Sequence, residues 1–432
     1  MNSASSSLPT PRRIPETMST TNPPDSSALN EAAESYVRLV LSLGEHDNDY
    51  VDAYFGPPAW RDEVKAASAS LDALRSTAEQ LILRLAAIHT YSETEAIQLR
   101  HQYLRQQTRS ILARIDMLQG RKFTFAEEAH ALYDARPPRH TEEFFRRILS
   151  ELDGLMPGTG PVADRFDRFR KDYIIPVEKL DGVFQAAIRE CRSRTLKNIE
   201  LPGSERFTLE YVTNKSWSGY NWYKGDSNSL IQINTDLPIY IDRAVDLAAH
   251  EGYPGHHVYN SLLELHLARE LGWMEFTVYA LFSPQSLIAE GTANFGIEVA
   301  FPGSQRVEFE RDVLFPAAGM DAKEAGRYYS IHRLTASLNY AHNEAARGYL
   351  DGVMDRRQAE EWLVTYALMS PERAAQRVRF IDAYRSYVIN YNLGQDLVRR
   401  YIESRGGTSD RPARRWEEFK KLISSPRLPS GL

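Results

Sequence analysis

The sequence is poor in cysteine, with Cys191 as the only one in 432 residues. A lone cysteine excludes an internal disulfide and is typical of proteins from a reducing compartment. Cys191 lies in AIRECRSRTLK, a helical stretch crowded with arginine, which predicts a surface or interhelical thiol and not a nucleophile. We therefore predict a cytoplasmic protein.

Long apolar runs and a strong charge imbalance are also missing. No stretch reaches the roughly 18 uninterrupted apolar residues that a membrane span requires. The formal net charge is −6, whereas a nucleic-acid-binding domain is usually strongly basic. Acidic residues interrupt the arginine-rich stretches at 399–400 and 411–421, which predicts solvated helix faces. The sequence thus predicts neither a membrane nor a nucleic-acid partner, and it specifies no oligomeric state.

Large apolar residues are scarce at the beginning of the chain. Residues 1–27 are rich in Ser, Pro and Thr. Such a segment cannot bury enough surface to offset its ordering entropy, and it lacks the apolar stretch of a secretory signal. We predict a disordered tail over 1–27 and a second, short tail over 426–432.

Between these tails the sequence favours helices. Over 28–200 apolar residues recur at three- and four-residue spacing, as in Ile111, Ile115 and Leu118, which is the period of an α-helix. We predict a helical scaffold over 28–200 and a metal-binding catalytic part over 201–425 that packs with it as one unit. The expected fold class is mainly α, as a single large domain.

The clearest strand periodicity lies in the middle of the chain. FTLEYV (207–212) alternates apolar and polar residues, and SLIQIN (229–234) is a second short strand. These two segments predict a β-hairpin with a long tip, beside the helix that follows. Four aromatic residues of the tip either line a substrate cleft or pack over the site: Trp217, Tyr220, Trp222 and Tyr223.

The segment that carries chemistry is HEGYPGHH at 250–257. Zinc peptidases commonly use H-E-x-x-H on a helix, because residues four apart lie on one face and both bind the metal. The Glu of that motif lies beside the metal-bound water as general base, which is the role predicted for Glu251 after the ligand His250. Position 254 is proline here, so the usual spacing fails.

Two arrangements would restore a second histidine ligand. On an ideal helix His257 lies within about 20° of the His250 face but about 10.5 Å away along the axis. Alternatively, Pro254-Gly255 interrupts the helix and loops out two residues, since proline removes a helical hydrogen bond and glycine accepts unusual dihedral angles. We favour His256 as the ligand in this second arrangement, with His257 contacting a metal ligand or the substrate.

A third ligand is predicted forty residues after His250. LIAEGTANFGIE (287–298) places Glu290 on a predicted helix and Glu298 two turns later. Two histidines and a carboxylate around an open position suit catalytic zinc, so Glu290 is the predicted ligand and Zn²⁺ the predicted cofactor. Glu298 is predicted to orient a ligating histidine.

These motifs resemble a bacterial family known only as domain of unknown function 885. HEGYPGHH is similar to its H-E-x-x-P-G-H-H motif, and AEGTANFGIE (289–298) to its E-G-W-A-x-Y-x-E segment. Thr292 and Asn294 replace the family's Trp and Leu after Glu290-Gly291. The second segment also resembles N-E-G-F-A-x-x-x-E of aminopeptidase-N-type enzymes, whose first Glu binds zinc. Residues 356–403 are similar to the end of the family, so the resemblance covers roughly 200–403.

The resemblance implies a helical glutamate-zincin fold with a short sheet beside the active-site helix. An edge strand at 229–234 would align an extended peptide through backbone hydrogen bonds. Such sites also place a Tyr, His or Arg at the developing oxyanion. The candidates in the matching C-terminal stretch, which alternatively only pack between helices, are Tyr384, Arg385, Tyr387 and Tyr391.

Together these residues predict a zinc-dependent hydrolase that cleaves a peptide or small amide substrate. Two other functions remain as alternatives. Two histidines and one carboxylate also form the site of non-haem iron oxygenases, and a zincin fold without activity could serve as a binding protein. Glu251 favours hydrolysis over oxygenation, because an oxygenase needs no base there, and intact Glu251 and Glu290 argue against a silent site.

Overall fold

The computed structural model describes residues 24–432. Of the predicted tail over 1–27, residues 1–23 lie outside the described part, and the first helix begins at Pro24. The described chain is mainly helical with small sheets, which confirms the predicted fold class. Among the described helices, none is long and apolar enough to cross a membrane.

The α-helices are, in chain order, α1 (Pro24–Gly44), α2 (Pro58–Ala67), α3 (Leu71–Ala87), α4 (Glu95–Leu118), α5 (Phe125–Tyr133), α6 (Glu142–Leu155), α7 (Val162–Lys171), α8 (Val177–Leu196), α9 (Asp242–Leu247), α10 (His256–Leu262), α11 (Pro284–Ala300), α12 (Gln305–Phe309), α13 (Phe315–Ala318), α14 (Ala325–Ala336), α15 (Ala341–Leu350), α16 (Arg356–Tyr366), α17 (Pro371–Tyr384), α18 (Ile389–Ser404) and α19 (Pro412–Ile423). Short π-helical turns extend some of them, at Ala248–Gly252, Leu263–Glu270 and Glu310–Leu314. Single 3-10 turns lie at Met274–Thr277, Ala322–Glu324, Arg385–Val388 and Pro429–Gly431.

Two small sheets accompany the helices. The first pairs β1 (Val51–Tyr54) antiparallel with β5 (Val278–Ala280). The second contains β2 (Arg206–Val212), β3 (Gly219–Gly225) and β4 (Asn228–Asn234) in the order β2-β4-β3. Strand β4 is parallel to β2 and antiparallel to β3, so it is the central strand of this sheet.

The predicted hairpin between 207–212 and 229–234 is therefore wrong. These two segments pair in parallel, and the hairpin instead joins β3 to β4 through a two-residue turn. Asp226 and Ser227 form the turn with φ angles of 54° and 53°, as a type I′ turn requires. Asp-Ser is a weaker signal for this turn than Asn-Gly or Asp-Gly. Strand β3, which lies in the polar stretch after residue 212, was therefore not predicted.

Helix α11, which carries Glu290, is buried on nearly every side. Its Leu287 packs in one of the two largest hydrophobic clusters, whereas Ile288 and Phe295 pack in the other. A helix that is apolar all round is a core helix and not a surface one. Because α11 lies between two cores, its position is fixed from both sides.

Two glycines allow α11 and α18 to approach each other closely. A Cβ on Gly291 would lie 2.5 Å from the carbonyl oxygen of Gly394, and a Cβ on Gly394 would lie 2.8 Å from the carbonyl oxygen of Leu287. Both distances are shorter than van der Waals contact, so neither position has room for a side chain. Since α11 carries Glu290 and α18 carries Tyr391, this crossing sets the distance between these two residues.

Replacement of Gly291 by alanine tests the close crossing. We expect Gly291→Ala to lower the free energy of unfolding by about 1–3 kcal/mol, because overpacking pushes the two helices apart. Urea denaturation measures the change. The control is Gly182→Ala on α8, where a Cβ meets nothing within 4 Å and alanine is expected to be neutral or stabilising by up to about 1 kcal/mol. Equal effects of the two substitutions would contradict the crossing.

Buried polar contacts join the helices before residue 200 to the later ones. Arg100 on α4 forms an ion pair with Glu275, with Nε 2.6 Å from Oε1, and both side chains are buried. Three residues later on the same helix, the Tyr103 hydroxyl donates to Oε1 of Gln285 at 2.7 Å. Loss of one partner of a buried ion pair costs roughly 3–5 kcal/mol, so these contacts hold the N-terminal helices firmly against the first turn of α11 and the segment before it.

Two further predictions concern single segments. The predicted tail over 426–432 is wrong, because Pro429 is buried and the backbone N–H of Ser430 donates to Oδ2 of Asp134 at 3.1 Å.

Cys191 is fully buried on α8, which excludes the surface position and leaves the interhelical one. Burial raises the pKa of its thiol, so Cys191 is a poor nucleophile.

Candidate metal centre

The Pro-Gly break folds the chain back onto His250. Helix α9 continues into the π-helical turn Ala248–Gly252, and α10 begins at His256. The N–H of Gly255 donates to the carbonyl of Ala249 at 2.9 Å, and a Cβ on Gly255 would lie 1.9 Å from the carbonyl oxygen of His250. Only glycine permits such a close backbone approach. The helix is interrupted as in the second predicted arrangement.

His250, His256 and Glu290 converge on one point of the cavity. Nε2 of His250 lies 3.1 Å from Nε2 of His256 and 3.1 Å from Oε2 of Glu290, and the third side of this triangle measures 3.6 Å. Ligands that surround zinc tetrahedrally at roughly 2.0–2.1 Å lie about 3.3 Å from one another. The spacing of the three atoms therefore fits three ligands of one zinc ion.

The state of the Glu290 carboxylate also fits a metal ligand. Among the described residues, its Oε2 atom has no hydrogen-bond partner of acceptable geometry although it is buried. Without a metal, only a protonated imidazole, that of His250 at 3.1 Å, lies close enough to balance this buried charge. A cation at the centre of the triangle would supply that partner, so the donor atoms fit the group that the sequence predicts.

His257 does not belong to this cluster, so its assignment as an alternative metal ligand is wrong. Its fully buried imidazole lies between Oγ of Ser229, 2.9 Å from Nδ1, and Oε2 of Glu205, 3.1 Å from Nε2. Glu205 also accepts a hydrogen bond from the Tyr253 hydroxyl at 2.6 Å and pairs with Arg192. Burial alone would raise the pKa of Glu205, but these partners lower it to about 2. The network anchors the interrupted helix.

Asn294, to which the sequence interpretation gave no role, orients His250. It lies one helical turn after Glu290 on α11, and its Oδ1 is 2.9 Å from Nδ1 of His250. Its Nδ2 donates to the carbonyl oxygen of Tyr391 at 2.9 Å, which fixes the orientation of the amide. Partners of this kind set the tautomer and the ring plane of a ligating histidine. The four-residue spacing from Glu290, on one helix face, was the available signal.

The predicted role of Glu298 in orienting a ligating histidine is wrong. Its carboxylate accepts a hydrogen bond from Nε2 of Gln395 at 3.0 Å and pairs with Arg399. Two helical turns after Glu290 correspond to about 12 Å along the axis. That advance carries the carboxylate of Glu298 past the histidines and toward α18.

Glu251 lines the same cavity but lies outside the triangle. A Cβ on Gly219 of β3 would lie 2.9 Å from its Oε1 atom, so a side chain at this position would displace the carboxylate. Nδ2 of Asn221 donates to the carbonyl oxygen of Glu251 at 2.6 Å. Burial raises the pKa of Glu251, which suits a general base that works near neutral pH.

Two of the predicted tyrosines reach the site in different ways. The hydroxyl of Tyr387 donates to Oε1 of Glu290 at 2.8 Å, so it holds the carboxylate and leaves Oε2 toward the histidines. Tyr391 lines the cavity with its ring centroid 6.4 Å from that of His250. Burial raises the pKa of Tyr391 well above its ordinary value, so its hydroxyl remains a hydrogen-bond donor. Tyr384 also lines the cavity.

The predicted contact of Arg385 with the oxyanion is wrong. Its Nε donates to Oε2 of buried Glu128 on α5 at 2.7 Å, and the backbone N–H of Ser386 donates to the other oxygen at 3.0 Å. Arg385 has a φ of 53°, and a non-glycine residue keeps this conformation only where its surroundings impose it. The ion pair anchors the turn that precedes Tyr387, so Arg385 supports the site from outside the cavity.

The cavity has a volume of about 1400 Å³, which is enough for a peptide. Strand β3 contributes one wall, and it is an edge strand of its sheet. The predicted edge strand at 229–234 is wrong, because β4 is central. Trp217 and Tyr220 line the cavity, which was one of the two alternatives for the four aromatic residues, whereas Trp222 donates to Gln232 and the Tyr223 hydroxyl to Glu264.

Asp52 is a further carboxylate of the cavity that was not predicted. It lies at an irregularity of β1, where the pairing with β5 shifts between Val51 and Ala53, and such bulges redirect side chains next to active sites. The hydroxyl of Tyr220 donates to it, and burial raises the pKa of Asp52 to about 6. The residues that it meets lie far along the chain, so the sequence around it gave no signal.

Comparison with known proteins adds information on the fold alone. No family model matches the sequence, and no curated protein matches it. A "putative lipoprotein" from Colwellia psychrerythraea is similar in structure, with 14% identity and a TM-score of 0.51 over 82% of this chain. This chain covers 63% of that protein, less than two thirds of its length. A similarly named protein of unknown function from Shewanella oneidensis has 13% identity and a TM-score of 0.35, over 85% of this chain and 79% of its own.

Proposed function

We propose that the chain is a zinc-dependent hydrolase that cleaves peptide or amide bonds in the cytoplasm. One observation carries the proposal, namely the triangle of donor atoms from His250, His256 and Glu290 with sides of 3.1–3.6 Å, in which the buried carboxylate oxygen has no hydrogen bond of acceptable geometry. The similarity of HEGYPGHH and AEGTANFGIE to the domain-885 family and to aminopeptidase-N-type segments supports zinc as the metal. The cytoplasmic location is proposed because Cys191 has no disulfide partner.

Glu251 is the proposed general base. Zinc, when bound at the triangle, supplies a Lewis acid and a water of lowered pKa. The carboxylate of Glu251 would hold a proton taken up in the cavity and pass it to the leaving amine, because it lines the cavity without belonging to the triangle. Its raised pKa brings proton transfer closer to neutral pH.

The two tyrosines have separate proposed roles. Tyr387 positions the metal ligand Glu290 through its hydrogen bond to Oε1. Tyr391 has its hydroxyl protonated and lies beside the ring of His250, so it is the proposed donor to the carbonyl oxygen as negative charge develops there. Strand β3, with Trp217 and Tyr220, provides the wall along which an extended peptide would lie.

Zinc binding is expected to strengthen as the pH rises from 7 to about 9. In the metal-free protein burial alone would lower the pKa of His250, but the carboxylates of Glu290 and Glu251 raise it to about 9. Zinc binds the neutral imidazole, so binding below that pKa releases about one proton and the affinity rises about tenfold per pH unit. Calorimetric titration in buffers of different ionisation enthalpy measures both quantities. A constant affinity without proton release over this range would contradict the assignment.

The stability of the metal-free protein should change in the opposite direction with pH. The folded-state pKa of His250 is raised above its unfolded value of 6.5. Its contribution to stability is therefore fully present below pH 6.5 and is lost as the pH rises through about 9. Urea denaturation of chelator-treated protein at a series of pH values provides this second measurement.

Hydrolysis by the zinc-loaded chain tests the proposed function. A pool of short peptides and peptide amides is incubated with the protein, and the products are identified by mass spectrometry. We expect cleavage that disappears after chelation and returns with one equivalent of zinc per chain. If a chain that holds one zinc cleaves no peptide or amide, the hydrolase proposal fails.

A further inference from the structure

One wall of the cavity carries several arginines, and the carboxylates nearby do not neutralise all of them. Helix α17 places Arg373 and Arg377 one turn apart, on one helix face, and Arg243 of α9 lies near both. Arg243 pairs with Asp246, with Nη1 3.1 Å from Oδ2. Within the described part of the chain, neither Arg373 nor Arg377 has a carboxylate oxygen within 4.0 Å. Arg373 at least donates from Nη2 to the carbonyl oxygen of Pro238 at 2.6 Å.

Of these three arginines, Arg377 has the fewest polar partners. In the described structure its guanidinium makes no hydrogen bond to protein, and the ring of Phe380 lies 5.1 Å from Cζ to centroid. The side chain is half-buried, and burial together with Arg243 lowers its pKa. An arginine nevertheless stays charged in a protein, and a partly desolvated charge without a partner is costly. The cavity thus holds an unused binding group for an anion.

A row of aromatic rings connects Arg377 to the metal-binding residues. From Arg377 the row passes to Phe380, whose centroid lies 6.3 Å from that of Tyr391, which in turn lies 6.4 Å from the ring of His250. An extended peptide advances roughly 3.3–3.6 Å per residue. Arg377 therefore lies no more than about five extended residues from His250.

We propose that Arg377 binds the C-terminal carboxylate of a peptide substrate, so that the enzyme cleaves a few residues from the C-terminal end. The proposal rests on the hydrolase function proposed above and specifies its substrate class. A guanidinium offers a planar pair of N–H donors that matches a carboxylate. The chain-terminal carboxylate is present in every unblocked peptide, and the stacked, half-buried position of Arg377 within reach of the metal ligands favours such a fixed end over a variable side chain.

Peptides with and without the terminal charge test the assignment. N-acetylated alanine peptides of three to six residues are compared as free acids and as C-terminal amides on the zinc-loaded chain. We expect the free acids to have kcat/KM values about ten to a hundred times higher, as a hydrogen bond to a charged group would give. In Arg377→Gln the ratio should fall to near one, and Arg377→Lys should restore part of it.

The matched control is Arg333→Gln. Arg333 also lines the cavity and has no carboxylate within 4.0 Å in the described structure, but its side chain is exposed. Its replacement removes the same charge from the same cavity, so it should leave the acid-to-amide ratio unchanged. Equal loss of the ratio in both variants would mean that the net charge of the cavity selects the substrate, which overturns the assignment to Arg377.

Equilibrium binding separates this proposal from the hydrolase proposal. The zinc-loaded Glu251→Gln protein is titrated calorimetrically with each acid and amide, with and without the additional Arg377→Gln substitution. Tighter binding of the acids that depends on Arg377 supports the carboxylate site even if the wild-type protein cleaves neither form, a result that rejects hydrolysis alone. Cleavage and binding of acid and amide with equal efficiency would reject the carboxylate site and leave hydrolysis intact.

Discussion

Glu251→Gln is expected to lower peptide hydrolysis by about 10³-fold, within the range of roughly 10²–10⁴ that general acid–base catalysis contributes. The amide keeps the size of the side chain but cannot take a proton. Zinc should stay bound at full stoichiometry, because Glu251 is not one of the three converging residues. The change should lie in kcat with little effect on KM, since a base acts in the transition state and not in substrate binding.

Measurement of kcat and of metal content on the same sample tests the role of Glu251. The control is Glu298→Gln, which alters another carboxylate of the cavity, one already paired with Arg399. We expect this control to keep activity within a few-fold of the wild type. Full turnover in zinc-loaded Glu251→Gln would show that another group takes the proton, and Asp52 would be the next candidate because it lines the same cavity.

Glu290→Gln is expected to weaken zinc binding by at least about hundredfold, since even the partners of metal ligands contribute 10- to 100-fold. The neutral amide cannot replace the charge that balances the ion. The substitution preserves the shape of the side chain and lets Tyr387 keep a hydrogen bond to an oxygen. The fold should therefore persist, and the far-ultraviolet circular dichroism spectrum should not change.

Competition with a chromophoric chelator measures the zinc affinity of this variant. A pair of neighbouring histidines provides the control, because His256 belongs to the triangle whereas His257 is held by Ser229 and Glu205. We expect His256→Gln to lose zinc like Glu290→Gln. His257→Gln should instead retain zinc and lower the stability of the fold. Unchanged affinity in Glu290→Gln would remove the carboxylate from the proposed ligand set.

The interrupted helix shows which parts of the site could be predicted from sequence. Proline and glycine have strong local effects on the backbone, so the loop before His256 could be inferred without knowledge of tertiary structure. Glu290 was inferred from a second local pattern on one helix. The four-residue spacing of Asn294 from Glu290 was a weak signal, because only the folded structure shows that its amide meets His250.

Features that depend on contacts between distant segments were not predictable in this way. Strand β4 becomes central only because β3 folds back through the Asp226-Ser227 turn, and local alternation does not determine which strand is the edge. Asp52 enters the cavity through a bulge in a short strand whose partner is β5. Arg385 lies outside the cavity because it is held by Glu128, which comes more than 250 positions earlier in the chain.

The metal content of the chain, purified without added metal, tests the proposed centre most directly. Inductively coupled plasma mass spectrometry of the wild type should find close to one zinc per chain, and Glu290→Gln prepared in parallel should contain almost none. Iron in place of zinc, or no bound zinc even after incubation with a stoichiometric amount of the ion, would contradict a zinc site formed by the two histidines and the glutamate of α11.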